Sequence, residues 1–199
     1  ITPLTQTTNV KIFDGHNDCL LRLFQKGGSD PSSIFFSRQT SGHLDFPRIQ
    51  SGGLCGGFFA LYVPADPNDT DINSGPNSNH TPLAKPLDAD YARRTCVSMM
   101  SILLKLIDKS NHQLSLVTSR DTLLDALSHN RFAVIAHIEG AEAIDADLAM
   151  LDVLHAAGLR SLGPVWSRPN IFAHGVPFRY PSTPDIGDGL TDAGQRLIK

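Results

Sequence analysis

The chain has 199 residues, 41% hydrophobic and 19% charged, the balance of one soluble globular domain. Its net charge is −3 with no basic block, which argues against nucleic acid or an anionic membrane surface as partner. No apolar run reaches the roughly 18 residues of a membrane span.

The first residues, Ile1-Thr2-Pro3-Leu4-Thr5, lack the basic start and apolar core of a signal peptide, and an Ile1 start reads as a processed or trimmed chain. Cys19, Cys55 and Cys96 are odd in number and far apart, which argues against a disulfide framework. Reduced thiols fit a soluble cytoplasmic protein and are also compatible with the periplasm.

Val10 to Phe13 reads as the first strand, running into Asp14-Gly15-His16-Asn17-Asp18. If the strand continues, His16 and Asp18 share a face and offer one point an imidazole and a carboxylate, two ligand types that zinc accepts. The same five residues also suit a capped strand end, with Asp and Asn making turn hydrogen bonds. Gly27 to Gly42, rich in Ser and Gly, reads as a loop. The run Gly56 to Val63 is continuously apolar, as in a strand buried on both faces.

Pro64 to Pro86 reads as a long surface excursion carrying two weak glycosylation sequons, at Asn68 and Asn79. Asp88 to Asp108 has helical spacing, with Tyr91, Val97, Met100, Leu103, Leu104 and Ile107 able to form one stripe. Ser119 is placed to cap a helix through Leu123, Leu124 and Leu127. Phe132 to Glu139 is the third strand, with Ile135, His137 and Glu139 on one face. A helix over 147–157 turns Leu148, Leu151 and Leu154 inward and stops at Gly158. Leu159 to Trp166 is the fourth strand, and Thr191 caps a last helix. Apolar strands joined by helical crossovers predict an α/β fold with a parallel sheet.

His16 with Asp18, Glu139 and Trp166 all fall at C-terminal strand ends, the edge where parallel α/β folds bind ligands. Glu139 reads either as a helix cap or ion-pair partner, or as a metal ligand gathered with His16 and Asp18. His137 reads as a satisfied interior histidine. Cys19 has no base beside it in sequence, and neither a phosphate-binding glycine loop nor a nucleophile elbow is present.

The order of Asp14-Gly15-His16-Asn17-Asp18, His43-Leu44-Asp45-Phe46-Pro47-Arg48, Gly56-Gly57-Phe58-Phe59, Ile138-Glu139-Gly140, Trp166-Ser167-Arg168-Pro169-Asn170 and Gly189-Leu190-Thr191-Asp192-Ala193-Gly194 resembles the membrane dipeptidase (renal dipeptidase) family of zinc metallopeptidases. The wording from Trp166 to Phe178 is similar to its bacterial branch. The resemblance implies a (β/α)₈ TIM-type barrel that holds two Zn²⁺ ions and hydrolyses dipeptides, including ones with a D-residue on the C-terminal side. It implies that His16 and Asp18 bind one zinc, and that Glu139 bridges both and is catalytic, with a metal-bridging hydroxide as nucleophile. Where animal members carry a substrate-contacting histidine this chain has Trp166, to which no catalytic role carries over.

Such barrels need roughly 250 residues, so residues 1–199 are expected to be the N-terminal half of one barrel domain, supplying about four strands. The family's two further metal-binding histidines, its substrate-binding arginine and its proton-transferring aspartate would all follow Lys199. A missing C-terminal half or a companion chain is therefore the expected partner, and open barrel edges predict self-association, such as a homodimer. The competing readings are a non-catalytic half-barrel scaffold and a barrel-type metal hydrolase acting on non-peptide amides or lactones.

Overall fold

The computed structural model describes residues 10–68, 84–177, 181–185 and 187–199. Five parallel strands form one sheet: β1 (Ile12–Asn17), β2 (Leu54–Tyr62), β3 (Leu114–Leu116), β4 (Phe132–Glu139) and β5 (Leu159–Gly163). Between and after them run α1 (Cys19–Lys26), α2 (Pro31–Phe36), α3 (Phe46–Ser51), α4 (Ala89–Lys109), α5 (Arg120–Ser128), α6 (Ala149–Ala156) and α7 (Asp192–Ile198). β2 lies between β1 and β4. The other edge of β4 is divided, with Phe132 to Val134 paired to β3 and Ala136 to Glu139 paired to β5.

Alternation along the strands decides which side chains the helices cover. Phe59, Leu61 and Val63 are fully buried in the main core with Leu20, Leu23, Met99, Leu103, Leu106 and Ile138. Phe58 and Tyr62, like Ile135, His137 and Glu139, are only half-buried on the opposite side. The sheet therefore has one helix-covered face and one open, partly polar face. Gly56 permits the close approach of β1. A Cβ there would run into the Phe13 ring and stand 2.7 Å from the Ala133 carbonyl oxygen.

Several boundaries differ from the sequence expectation. Val10 and Lys11 precede β1, and Asp18 lies beyond it as the N-cap of α1. The expected loop over 27–42 contains α2, started by Asp30, whose side chain accepts from Ser32 N–H, and by Pro31 at the first helical position. Strand β3 adds a fifth strand to the four expected; three residues are too few to show a period. On α4 the buried stripe is Ala92, Cys96, Met99, Leu103 and Leu106, while Val97 and Leu104 are exposed. On α6 only Leu154 is fully buried, and Leu148 is the left-handed N-cap with φ +65°. Strand β5 stops at Gly163, so Trp166 lies three residues beyond its end. Caps at Ser119 and Thr191 and the stop at Gly158 (φ +111°) are as expected. Most of the expected excursion, including the Asn79 sequon, falls outside the described residues.

The segment His43 to Arg48 owes its wording to α3. Asp45 is fully buried and accepts from Gln39 N–H (2.8 Å), Arg48 N–H (2.9 Å) and Arg48 Nε (2.6 Å). Burial alone would raise its pKa, but the two backbone donors and the Arg48 guanidinium outweigh that and hold it below the ordinary carboxylate value. With the folded pKa below the unfolded value of about 3.9, the contribution is whole above that pH and is lost as pH falls through the folded pKa. Asp45→Ala is expected to cost about 1–2 kcal/mol and to flatten the acid limb of a thermal-melting profile measured from pH 7 to pH 2.

Candidate metal centre

The end of β1 divides its work between neighbouring residues. Asn17 is buried and ties the turn down: its Nδ2 donates to Asp14 Oδ2 (2.8 Å) and to the Phe58 carbonyl (3.0 Å). Its Oδ1 accepts from Cys19 N–H (3.2 Å), closing an Asx turn ahead of the helix. Asp18 occupies the N-cap position yet makes no capping bond. Its carboxylate is thereby left for the open face, where Oδ1 lies 3.7 Å from His16 Nε2. The convergence of His16 and Asp18 thus comes from the start of α1, and not from simple strand alternation.

Glu139 enters from β4. Its Oε2 lies 3.3 Å from His16 Nε2, and one ligand atom from each of His16, Asp18 and Glu139 falls within 4.8 Å of the others. Ligands about 2.0–2.1 Å from a tetrahedral zinc stand about 3.4 Å apart, so the His16 separations of 3.3 and 3.7 Å suit donors to a shared cation. Glu139 is the least exposed of the three, at 20% of its side-chain surface, against 40% for His16 and 54% for Asp18. Burial raises its pKa, His16 lowers it and Asp18 raises it again. A cation at the point of convergence removes the cost of gathering two carboxylates there. One nitrogen and two oxygen donors therefore fit zinc or a similar divalent ion.

His137 points to the same side but is engaged elsewhere, with Nδ1 2.8 Å from Ser161 Oγ. Its ring packs edge-on to His16 (centroids 5.9 Å apart) and Phe58 (6.2 Å). Burial first, and then His16, lowers its pKa and keeps it neutral. Past Glu139 the chain turns at Gly140 with φ +85°, where a Cβ would strike the Glu142 carboxylate. Burial pushes the Cys19 thiol up to about 12, so it is no nucleophile.

Two residues near the site were given no role by the sequence, although Arg168 lies in the Trp166 to Asn170 motif. Arg168, only 6% exposed, donates to the Val63 carbonyl (3.1 and 2.9 Å) and to the Tyr62 hydroxyl (3.0 Å). Tyr62 is the ladder partner of Glu139, and its ring meets Trp166 edge-on with centroids 5.3 Å apart. Apolar patterning hid Tyr62, which reads as one more β2 core residue, and no local pattern ties a loop arginine to it.

Residues 5–199 match the family model described as "Membrane dipeptidase (Peptidase family M19)". An uncharacterized protein of Acinetobacter calcoaceticus, encoded in a PQQ-III 3′ region, is 34% identical over 191 residues, covering 96% of this chain and 60% of its own length. A solved metallo peptidase from Rhodobacter sphaeroides, liganded with a phosphinate mimic of the dipeptide L-Ala-D-Ala, is 41% identical with a TM-score of 0.83. The match covers 95% of this chain and 55% of that one. The solved dipeptidase AC, a metallo peptidase of family M19, is also 41% identical with a TM-score of 0.83, over 96% of this chain and 53% of its own. The chain thus spans little more than half the length of these relatives. No helix among the described residues is long and apolar enough to cross a membrane.

Equilibrium dialysis against zinc is expected to separate ligand from bystander. Asp18→Asn and Glu139→Gln should each weaken binding by about tenfold or more, whereas Ser161→Ala, which frees only the His137 ring, should change it by less than that.

Proposed function

The chain belongs to the membrane dipeptidase family, peptidase family M19, and on that premise we propose that it supplies the N-terminal half of a zinc-dependent dipeptidase active site. In this reading residues 1–199 are one half of a single (β/α)₈ barrel domain, and a C-terminal half, on the same polypeptide or a companion chain, completes the ligand set. The five-stranded parallel sheet and its span of little more than half the solved relatives support this. The observation that carries the activity is the meeting of His16, Asp18 and Glu139 at the C-terminal edge of the sheet, where barrel enzymes build their sites.

His16 and Asp18 would hold one zinc ion, and Glu139, the least exposed of the three, would join them as a carboxylate ligand. When bound, zinc would polarise the scissile carbonyl and lower the pKa of a water to about 7. Asn17 fixes the turn between β1 and α1, and Asp18, which makes no capping bond, faces the site. Neutral His137, fixed by Ser161, packs against the His16 ring and limits its rotation. The substrate class is a dipeptide, with a D-residue accepted on the C-terminal side; the L-Ala-D-Ala mimic held by the Rhodobacter sphaeroides relative supports that choice. Three unpaired cysteines, two of them buried, support a cytoplasmic setting.

The test is hydrolysis of L-Ala-L-Ala and L-Ala-D-Ala by the zinc-loaded full-length protein. Glu139→Gln is expected to lower kcat by about 10³-fold for both. Retention of full activity by that variant would remove Glu139 from the mechanism. Absence of turnover in the unsubstituted protein would favour the scaffold reading.

A further inference from the structure

Beside the three convergent side chains the open face carries an aromatic corner. Tyr62 ends β2 in register with Glu139, on the same side of the sheet, and Glu139 and Glu142 both act electrostatically on its hydroxyl. The Tyr62 ring is held from two directions. Trp166 packs edge-on against it, and the Arg168 guanidinium lies 5.7 Å from its centroid while donating to its hydroxyl at 3.0 Å. Arg168 is itself immobile, because the same guanidinium is tied to the Val63 carbonyl, the residue after Tyr62. Among the described residues it forms no ion pair with a carboxylate. Its guanidinium fixes the end of β2 and the ring of Tyr62, and its charge also acts on the Glu142 carboxylate.

Arg168 and Trp166 together fix one orientation of the Tyr62 ring. The corner stays partly open: Trp166 keeps 37% of its surface exposed, and Tyr62 is half-buried. An aromatic wall one ladder step from the carboxylate of a hydrolytic site is placed to meet a substrate side chain.

Resting on the dipeptidase reading, we propose that Tyr62, clamped by Arg168 and backed by Trp166, is a specificity-determining wall that takes an apolar side chain of the dipeptide. Tyr62 selects by burying hydrocarbon, and Arg168 is a positioning residue that acts through the ring.

The experiment compares kcat/KM over a dipeptide panel (Gly, Ala, Leu and Phe varied at each position) for the zinc-loaded full-length protein, Tyr62→Ala and Tyr62→Phe. For Tyr62→Ala, the preference for Leu or Phe over Ala should fall about tenfold, through KM, with a smaller loss for Ala-Ala than for the Leu and Phe dipeptides. Tyr62→Phe, which loses only the clamp, should show a smaller loss of preference. Trp166 is the single tryptophan of the chain, so its fluorescence reports on the corner directly. Phosphinate dipeptide analogues with an isobutyl side chain should shift its emission more than analogues with a methyl, even if Tyr62→Ala does not fold. Equal loss across the panel in the Tyr62 variants, or emission blind to side-chain size, overturns the wall while leaving the dipeptidase reading intact. No hydrolysis of any dipeptide by the unsubstituted protein overturns both.

Discussion

The candidate site depends on how Asn17 fixes the turn between β1 and α1. A helix beginning at Cys19 would ordinarily recruit the side chain of its N-cap, Asp18, to satisfy its first free N–H groups. No such bond is made; Asn17 sets the turn instead, its Oδ1 accepting from the Cys19 N–H while its Nδ2 anchors Asp14 and the neighbouring strand. Asp18 is left with an unspent charge facing His16. If the cap were made in the usual way, the carboxylate would turn into the helix end and the donor set would lose a member. Within five residues, two are given to structure so that two others can be given to chemistry.

That arrangement explains how much could be read in advance. Strands β2 and β4 and helices α4 and α5 were legible because apolar runs and caps carry their own period and punctuation. The convergence of His16, Asp18 and Glu139 was legible because polar groups ending apolar strands need a reason to be there. The phase of α4 was not, since Val97 and Leu104 fit a helical stripe as well as Met99 and Leu106 do, and only docking on the sheet chooses between them. Short elements such as β3 and α2 gain their stability from neighbours and leave little trace in composition.

The Tyr62 and Arg168 pair was invisible for a different reason. Each looks ordinary alone: an aromatic in a buried strand, an arginine in a loop. Their meaning lies in a contact between distant segments, which no local pattern encodes. Asp45 and Arg48 show the opposite case, a charged pair close in sequence whose role is to start α3 and not to do chemistry.

The hydrogen bonds from Arg168 to Val63 span 105 positions of the chain. Contacts of that range carry a loop-closure cost, because the intervening chain must give up its freedom. His16 and Asp18, by contrast, are two residues apart, and the start of α1 sets their geometry. The two halves of the open face are thus held by different means, one by a local turn and the other by contacts between distant segments.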